Sequence, residues 1–394
     1  MPDAPVTTVS SRSERIHSVD VLRGIIMIVM ALDHVRDFLG QTAISPTDMT
    51  RASAGLFLTR WITHFCAPVF FTLTGTGAFL SLKKRGASDL SRFLFTRGLW
   101  LIFLEFVVVR CLGYQFNFDY RVTLLVILWA LGWAMITLSA LVRFPARVVA
   151  AFGIVLIAGH NAFDGVKAAS FGAWAPLWSI LHAPGFVSAN PAHVIFVSYP
   201  IVPWIGVTAV GFALGRVFDW APERRRAFLL KAGLGAIAAF LVLRGFNIYG
   251  DANPWTHARA LSFLNVTKYP PSLLFLLMTL GPAMLALRAL DFGTPQVLRP
   301  ALVFGKVPLF YFLLHLPLIH LMAVAVCWLQ NGDAHWMFES PNLGAYPFTT
   351  PPGWGLPLWQ IYAAWILVVL ILYPVCRWYG GVKSRNSSPW LSYL

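Results

Sequence analysis

Ser18–Gly40 reads SVDVLRGIIMIVMALDHVRDFLG, and the placement of its charges decides how the rest of the chain is read. Gly24 to Leu32 carries no charge; Arg23 stands before this run, and Asp33, His34, Arg36 and Asp37 follow it. The stretch predicts a membrane-spanning helix, which needs about 20 mostly apolar residues. Ionisable side chains in such a helix are costly and face a protein interior or a wet cavity. At about 100° per residue, Arg23 and His34 lie roughly 20° apart around the axis, with Met27, Met30 and Asp37 within about 40° of the same side. A rise of about 1.5 Å per residue separates Arg23 from His34 by roughly 16 Å. Two readings fit this stripe equally. Either Arg23 reaches lipid headgroups and His34 is a satisfied bundle histidine, or the two mark a functional face.

Composition supports the membrane assignment. Hydrophobic residues make up 58% of the chain and charged ones 12%, against about 25% charged in soluble domains. The net charge of +14 comes from cations in short connections between apolar runs, which is how topology signals are distributed; no nucleic-acid-binding module is expected. The four cysteines, Cys66, Cys111, Cys327 and Cys376, are far apart in apolar settings without a CxxC pair, so neither a zinc site nor a disulfide framework is expected. The first apolar run is too long for a signal-peptide core and lacks a small-residue cleavage site, so it reads as retained.

The span-length rule yields ten segments: Val19–Leu39, Phe57–Leu82, Phe93–Leu112, Val122–Val142, Ala146–Ala158, His193–Phe218, Phe228–Tyr249, Ser272–Leu290, Ala301–Leu329 and Leu356–Tyr379. The fifth is short. One set of connections is rich in cations: Lys83, Lys84, Arg85, Arg92 and Arg97; Arg143 and Arg147; Arg224, Arg225, Arg226 and Lys231; Arg288, Arg299 and Lys306. Arg12 and Arg15 before the first span, and Arg377, Lys383 and Arg385 at the last, join the same set. The positive-inside rule makes it cytoplasmic. The expected fold is an all-α polytopic helix bundle of about 10 transmembrane helices with both termini cytoplasmic. A tail of residues 1–17 precedes a transmembrane domain of 18–380, and a tail of 381–394 follows it. Arg23 then lies near the cytoplasmic face and His34 near the far one.

The far-side connections are long. His160 to Ala192 holds Trp174, Trp178 and His182; Gly250 to Pro271 holds Asp251, Trp255, His257, Asn265, Lys268 and Tyr269; Asn331 to Gly355 is dense in Pro, Gly and aromatics. Long loops are often functional, and aromatic and polar loop faces suit sugar rings. An interfacial aromatic belt accounts for the same residues. Within spans, His64 in THFCAPVFF precedes Pro68, which can break the helix and open a cavity. Glu105 needs compensation in the middle of the third span, with Arg97, Arg110 or another cation as partner. Tyr199, Pro200, Pro203 and Trp204 in SYPIVPWIG predict an irregular start to the sixth span. In the ninth, Tyr311 and His315 share a face one turn apart, with His320 beyond. No P-loop, G-x-S-x-G, HExxH or dinucleotide fingerprint is present.

SVDVLRG followed by an apolar run and DHVRD resembles the opening of the transmembrane acyltransferases. RWITHFCAPVFFTLTGTGAF, SYPIVPWIGVTAVGFALG, NVTKYPPSLLF and FGKVPLFYFLLH look more specifically like bacterial relatives of heparan-α-glucosaminide N-acetyltransferase. The resemblance covers nearly the whole chain. It implies an enzyme of a bacterial plasma (inner) membrane, with acetyl-CoA as cytoplasmic donor and co-substrate, no metal, and a sugar or glycan acceptor on the other side. Lysosomal members carry Asn where this chain has His34, and their active His follows in the next loop. No His lies between Val35 and Thr63 here, so the catalytic role falls on His34 or His64.

On this reading Arg23 binds a CoA phosphate, and the pantetheine arm spans the roughly 16 Å to His34. His34 takes the acceptor proton as general base, and Asp37 orients the imidazole. An acetyl-imidazole intermediate is a second route. Trp174, Asn265, Lys268, Tyr269 and His315 are the candidate acceptor-binding residues. A transporter of a small polar or anionic solute is the alternative function, although two matching broken-helix halves are not visible. The acceptor, N- versus O-acylation and a homodimeric assembly are left open by the sequence.

Overall fold

A computed structural model describes residues 16–41, 44–256, 260–341, 347–386 and 388–394. The tail through Arg15, and His257 and Arg259 of the long loop, lie outside the described residues. Of the described residues, 72% are in helices and 5% in strands. In order come α1 (His17–Leu39), α2 (Ala54–Thr63), α3 (Cys66–Leu104), a π-helical stretch (Glu105–Tyr114), β1 (Val122–Leu125), α4 (Ile127–Leu141), α5 (Ala146–Gly159) and α6 (Ala175–Leu181). Then follow β2 (Gly185–Asn190), β3 (His193–Val197), α7 (Ile201–Gly215), α8 (Pro222–Gly245), α9 (Leu273–Phe292), α10 (Ala301–Lys306), α11 (Pro308–Asn331) and α12 (Leu358–Arg385).

Among the described residues, six stretches are helical, long and apolar enough to cross a membrane: 146–163, 201–219, 222–245, 273–292, 308–331 and 358–385. The first of these contains the short fifth segment, because α5 continues as a 3-10 turn over His160–Phe163. Every one of the ten expected segments falls mainly on helix, with informative differences. Most of the second and the start of the third lie on α3, two helices joined at a kink at Gly86, whose φ of +74° an L side chain rarely adopts. The second segment breaks at His64–Phe65, which leaves Pro68 in the first turn of α3, where its missing N–H has no helical partner to lose.

The all-α expectation needs one correction. Val122–Leu125 and His193–Val197, assigned to the starts of the fourth and sixth spans, are strands. With β2 they form a three-stranded sheet ordered β1-β3-β2, in which β1 runs parallel to β3 (Leu124 opposite Phe196) and β2 antiparallel. Their Val/Ile/Phe content fits a pleated, half-buried surface. Helix α7 starts only after Pro200, which supplies no N–H and a fixed φ.

Helix α1 is the centre, packed against α3, α9, α10, α11 and α12. Its approach to α10 is glycine-limited. A Cβ on Gly24 would lie 1.8 Å from the Ala301 carbonyl oxygen, and one on Gly305 would lie 1.8 Å from that of Asp20. Tryptophan N–H groups secure its length: Trp365 Nε1 donates to the Ile28 carbonyl at 2.7 Å and Trp354 Nε1 to that of Phe38 at 3.2 Å.

Candidate functional site

The charged end of α1 opens into a cavity of about 1340 Å³. Its walls are the last turns of α1, α2, the start of α3, the sheet through Leu124 and Phe196, and the loop carrying Asn265, Lys268 and Tyr269. Exposed Gln41, Arg51, Ser53 and Asn253 form its rim. Such a pocket, mostly apolar with a few convergent polar groups, is the usual form of a ligand site.

Asp33 is the electrostatic hub. Arg60 Nη1 reaches both its oxygens, at 2.7 and 2.6 Å. Thr63 Oγ1 donates to Oδ1 at 2.8 Å, Arg36 Nη1 lies 2.7 Å from Oδ1, and Lys268 Nζ stands 3.9 Å from Oδ2. Arg36 Nη1 is close to Asp33 but misaligned for a hydrogen bond, so this contact is Coulombic. Several partners compensate the burial of this carboxylate, which an isolated charge would not survive. Arg60 comes within reach because the break at His64–Phe65 separates α2 from α3.

His34 and His64 both line the cavity. Among the described residues, His34 Nδ1 is buried without a partner. Its ring meets Tyr114 at 6.1 Å between centroids and His315 at 5.1 Å. The π-helical stretch places Tyr114; such widened turns recur at functional sites. His64 is 2% exposed and its Nδ1 also lacks a partner. Asp37 lines the cavity, but its carboxylate accepts from Arg36 Nη2 at 2.6 Å rather than from His34.

The expected acceptor residues divide. Asn265, Lys268 and Tyr269 line the cavity. Asn265 Nδ2 donates to the Thr47 carbonyl at 3.1 Å, and Lys268 Nζ lies 5.2 Å from the Tyr269 ring centroid. Burial raises the Tyr269 phenol, while Lys268, Arg60 and the Tyr199 hydroxyl more than offset it, leaving Tyr269 below the ordinary tyrosine value. Trp174, by contrast, is 70% exposed and is no part of the lining. His315 is fully buried behind His34. Arg23 is also outside the lining; it donates to Asp20 Oδ1 at 2.9 Å and to the Gly305 carbonyl at 3.1 Å.

Among the described residues, Glu105 has no cationic partner of the expected kind. Its Oε2 accepts the N–H groups of Leu128 (2.8 Å) and Trp129 (3.1 Å), so it caps the N-terminus of α4 from another helix. Arg110 turns instead to Asn117, Asp119 and the Val122 carbonyl.

Two residues that carried no role in the sequence reading shape the loop behind Lys268. Arg244, 2% exposed, donates to the carbonyls of Asn253, Ser262, Phe263 and Asn265. Asp251 accepts from Thr267 and Ser272. Asp33, Arg36 and Arg60 were likewise unassigned. The i,i+3 spacing of Asp33 and Arg36, and Arg60 one turn before His64, are the signals available in the sequence.

A mostly helical chain with six helices among the described residues long and apolar enough to cross a membrane, and a charged cavity at the end of its central helix, points to an integral membrane protein. Residues 15–249 match the family described as Heparan-alpha-glucosaminide N-acetyltransferase, catalytic. That is more than half of the 394 residues, and the chain belongs to this family. No curated protein matches it. Membership points to membrane acetyltransferase activity. The matched region includes His34 and His64 and ends before Lys268 and His315.

Proposed function

We propose that this protein transfers an acetyl group from acetyl-CoA on the cytoplasmic side to a hydroxyl or amine, of a sugar or glycan, on the other side of a bacterial inner membrane. The observation that carries the reading is His34, an imidazole set in the wall of a large charged cavity with neither of the flanking carboxylates, Asp33 and Asp37, bonded to it. An acceptor in the cavity meets a base able to take its proton as it attacks the thioester carbonyl. His64, on the same lining, is the second candidate base. Asn265, Lys268 and Tyr269 offer polar and aromatic contacts of the kind a sugar ring uses.

On this reading the bundle crosses the membrane ten times, α3 counting twice about Gly86, with both termini cytoplasmic. The transmembrane domain is 18–380 between tails of 1–17 and 381–394. The other end of α1 supports a nucleotide contact. Arg23 bonds the carbonyl of Gly305, and the next residue, Lys306, lines a cleft of about 320 Å³ with Arg377 and Lys383. Cations so placed suit the phosphates of CoA.

Purified protein, labelled acetyl-CoA and a panel of acceptors test the proposal. His34→Ala is expected to abolish transfer while leaving CoA binding and folding intact, and Arg23→Ala to weaken chiefly CoA binding. Near-normal turnover in His34→Asn, which can orient an acceptor but not deprotonate it, would move the base to His64. Passage of an acceptor across reconstituted membranes without acetylation would make the protein a transporter.

A further inference from the structure

We propose that His315 is the positioning residue for His34: its Nε2 accepts the His34 Nδ1–H and so fixes the tautomer in which the Nε2 lone pair of His34 faces the cavity. This rests on the reading of His34 as the base.

His315 Nδ1 lies 2.7 Å from the Phe312 carbonyl oxygen and 3.2 Å from that of Tyr311. Carbonyl oxygens only accept, so Nδ1 carries the proton, and in the neutral ring Nε2 holds a lone pair. Among the described residues, that Nε2 is buried without a partner. The adjoining ring is His34, 5.1 Å away between centroids and tilted by 60°, and its Nδ1 is also buried without a partner. An acceptor lacking a donor thus stands beside a nitrogen able to donate. A buried polar group left unmade is costly, and a small rotation of the His34 ring, or one bridging water, joins them.

The other groups facing His34 are already engaged or of the wrong kind. On its own helix, Asp33 is held by Arg60, Thr63 and Arg36, and Asp37 by Arg36. Lys268 approaches from the loop beyond α8 and can only donate. Tyr114 meets His34 ring to ring in edge contact, with no hydrogen bond between its hydroxyl and His34 Nδ1. Parallel stacking of Tyr311 on His315, at 5.3 Å and 3°, holds the His315 ring from its own helix.

The step balances without His315 changing charge. As the acceptor oxygen or nitrogen bonds the thioester carbonyl carbon, its proton passes to His34 Nε2. The C–S bond breaks, and the departing CoA thiolate takes that proton from Nε2. His34 Nδ1–H remains on His315 Nε2 throughout, and the transient imidazolium is stabilised by that acceptor.

Selective ¹⁵N-histidine labelling of the full-length protein reads the tautomer without requiring turnover, with the His34 signal assigned by its loss in His34→Asn. The wild type is expected to show His34 protonated on Nδ1. His315→Phe should revert it to the Nε2–H form, whereas His315→Gln, whose amide oxygen accepts, should keep it. In transfer assays His315→Phe should lower kcat about 100-fold with the KM for acetyl-CoA unchanged, and His315→Gln should stay within about tenfold. Loss of the acceptor disfavours the His34 cation, so the acid limb of the kcat profile should move to lower pH in His315→Phe. A wild-type His34 protonated on Nε2, equal losses in Phe and Gln, or an unmoved acid limb would overturn the proposal. A wild type that acetylates no acceptor would remove the acyl-transfer reading instead, and the tautomer measurement would still decide the His34–His315 bond.

Discussion

Asp33 and Arg60 form an ion pair in which one guanidinium nitrogen sits between both carboxylate oxygens, at 2.7 and 2.6 Å. The pair ties the end of α1 to α2 at the cavity wall. Removing Asp33 takes the carboxylate from Arg60 and Arg36 together, at a cost of about 3–5 kcal/mol. Asp33→Asn should therefore lower the thermal midpoint strongly and abolish activity. Because Arg60 and Asp33 touch, the double variant Asp33→Asn/Arg60→Met should be less unstable than the sum of the single ones, by about 1–3 kcal/mol. Additive losses would show that the contact carries no coupling.

Glu105 is a structural cap on α4. Glu105→Gln keeps an acceptor for the Leu128 and Trp129 N–H groups and should cost no more than about 1 kcal/mol. Glu105→Leu strands both donors and should cost about 2–4 kcal/mol. Turnover per folded molecule should stay near wild type in Glu105→Gln. Loss of turnover at unchanged melting temperature would place Glu105 in the chemistry.

Arg244 organises the loop that carries Asn265 and Lys268, through four backbone carbonyls. Arg244→Met preserves bulk but leaves those acceptors without the guanidinium. Limited proteolysis should then cut between residues 250 and 271 far faster than in the wild type, and the KM for the acceptor should rise more than that for acetyl-CoA. Resistance equal to wild type would mean that Asp251 and the packing of the loop suffice.

Gly305 and Gly235 make a matched test of backbone contact. A Cβ at Gly305 would collide with the Asp20 carbonyl at 1.8 Å, whereas one at Gly235, inside α8, meets nothing within 4 Å. Gly305→Ala should force α1 from α10, break the Arg23 bond to the Gly305 carbonyl and cost about 3 kcal/mol. Gly235→Ala should be neutral or stabilising by up to about 1 kcal/mol. Equal tolerance at both positions would contradict the close approach of the two helices.

Helices, the membrane class and the family were legible in the sequence itself. A backbone removed from water must satisfy its own hydrogen bonds, so long apolar runs become helices whatever surrounds them, and the prolines at 68, 200 and 203 mark where they begin. Two span starts were misread because Val122–Leu125 and His193–Val197 are apolar enough for either structure. What made them strands was pairing with each other and with Gly185–Asn190, a non-local choice that apolarity does not encode.

Helical periodicity also placed His34 on one face of α1, but a face does not name its neighbour. Asp37, one turn away, was expected to serve His34 and bonds Arg36 instead, while His315 arrives from α11. Asp33 draws Arg60 from α2 and Lys268 from the loop beyond α8. These meetings depend on where helices cross and where chain breaks tilt them, which is set by close packing across Gly24 and Gly305 and by the turn at His64–Phe65. Local sequence determined which segments would be helical, because that satisfaction is internal to each segment. Only the tertiary structure decided which charges and rings would face one another, because burial makes each of them depend on a partner from elsewhere in the chain.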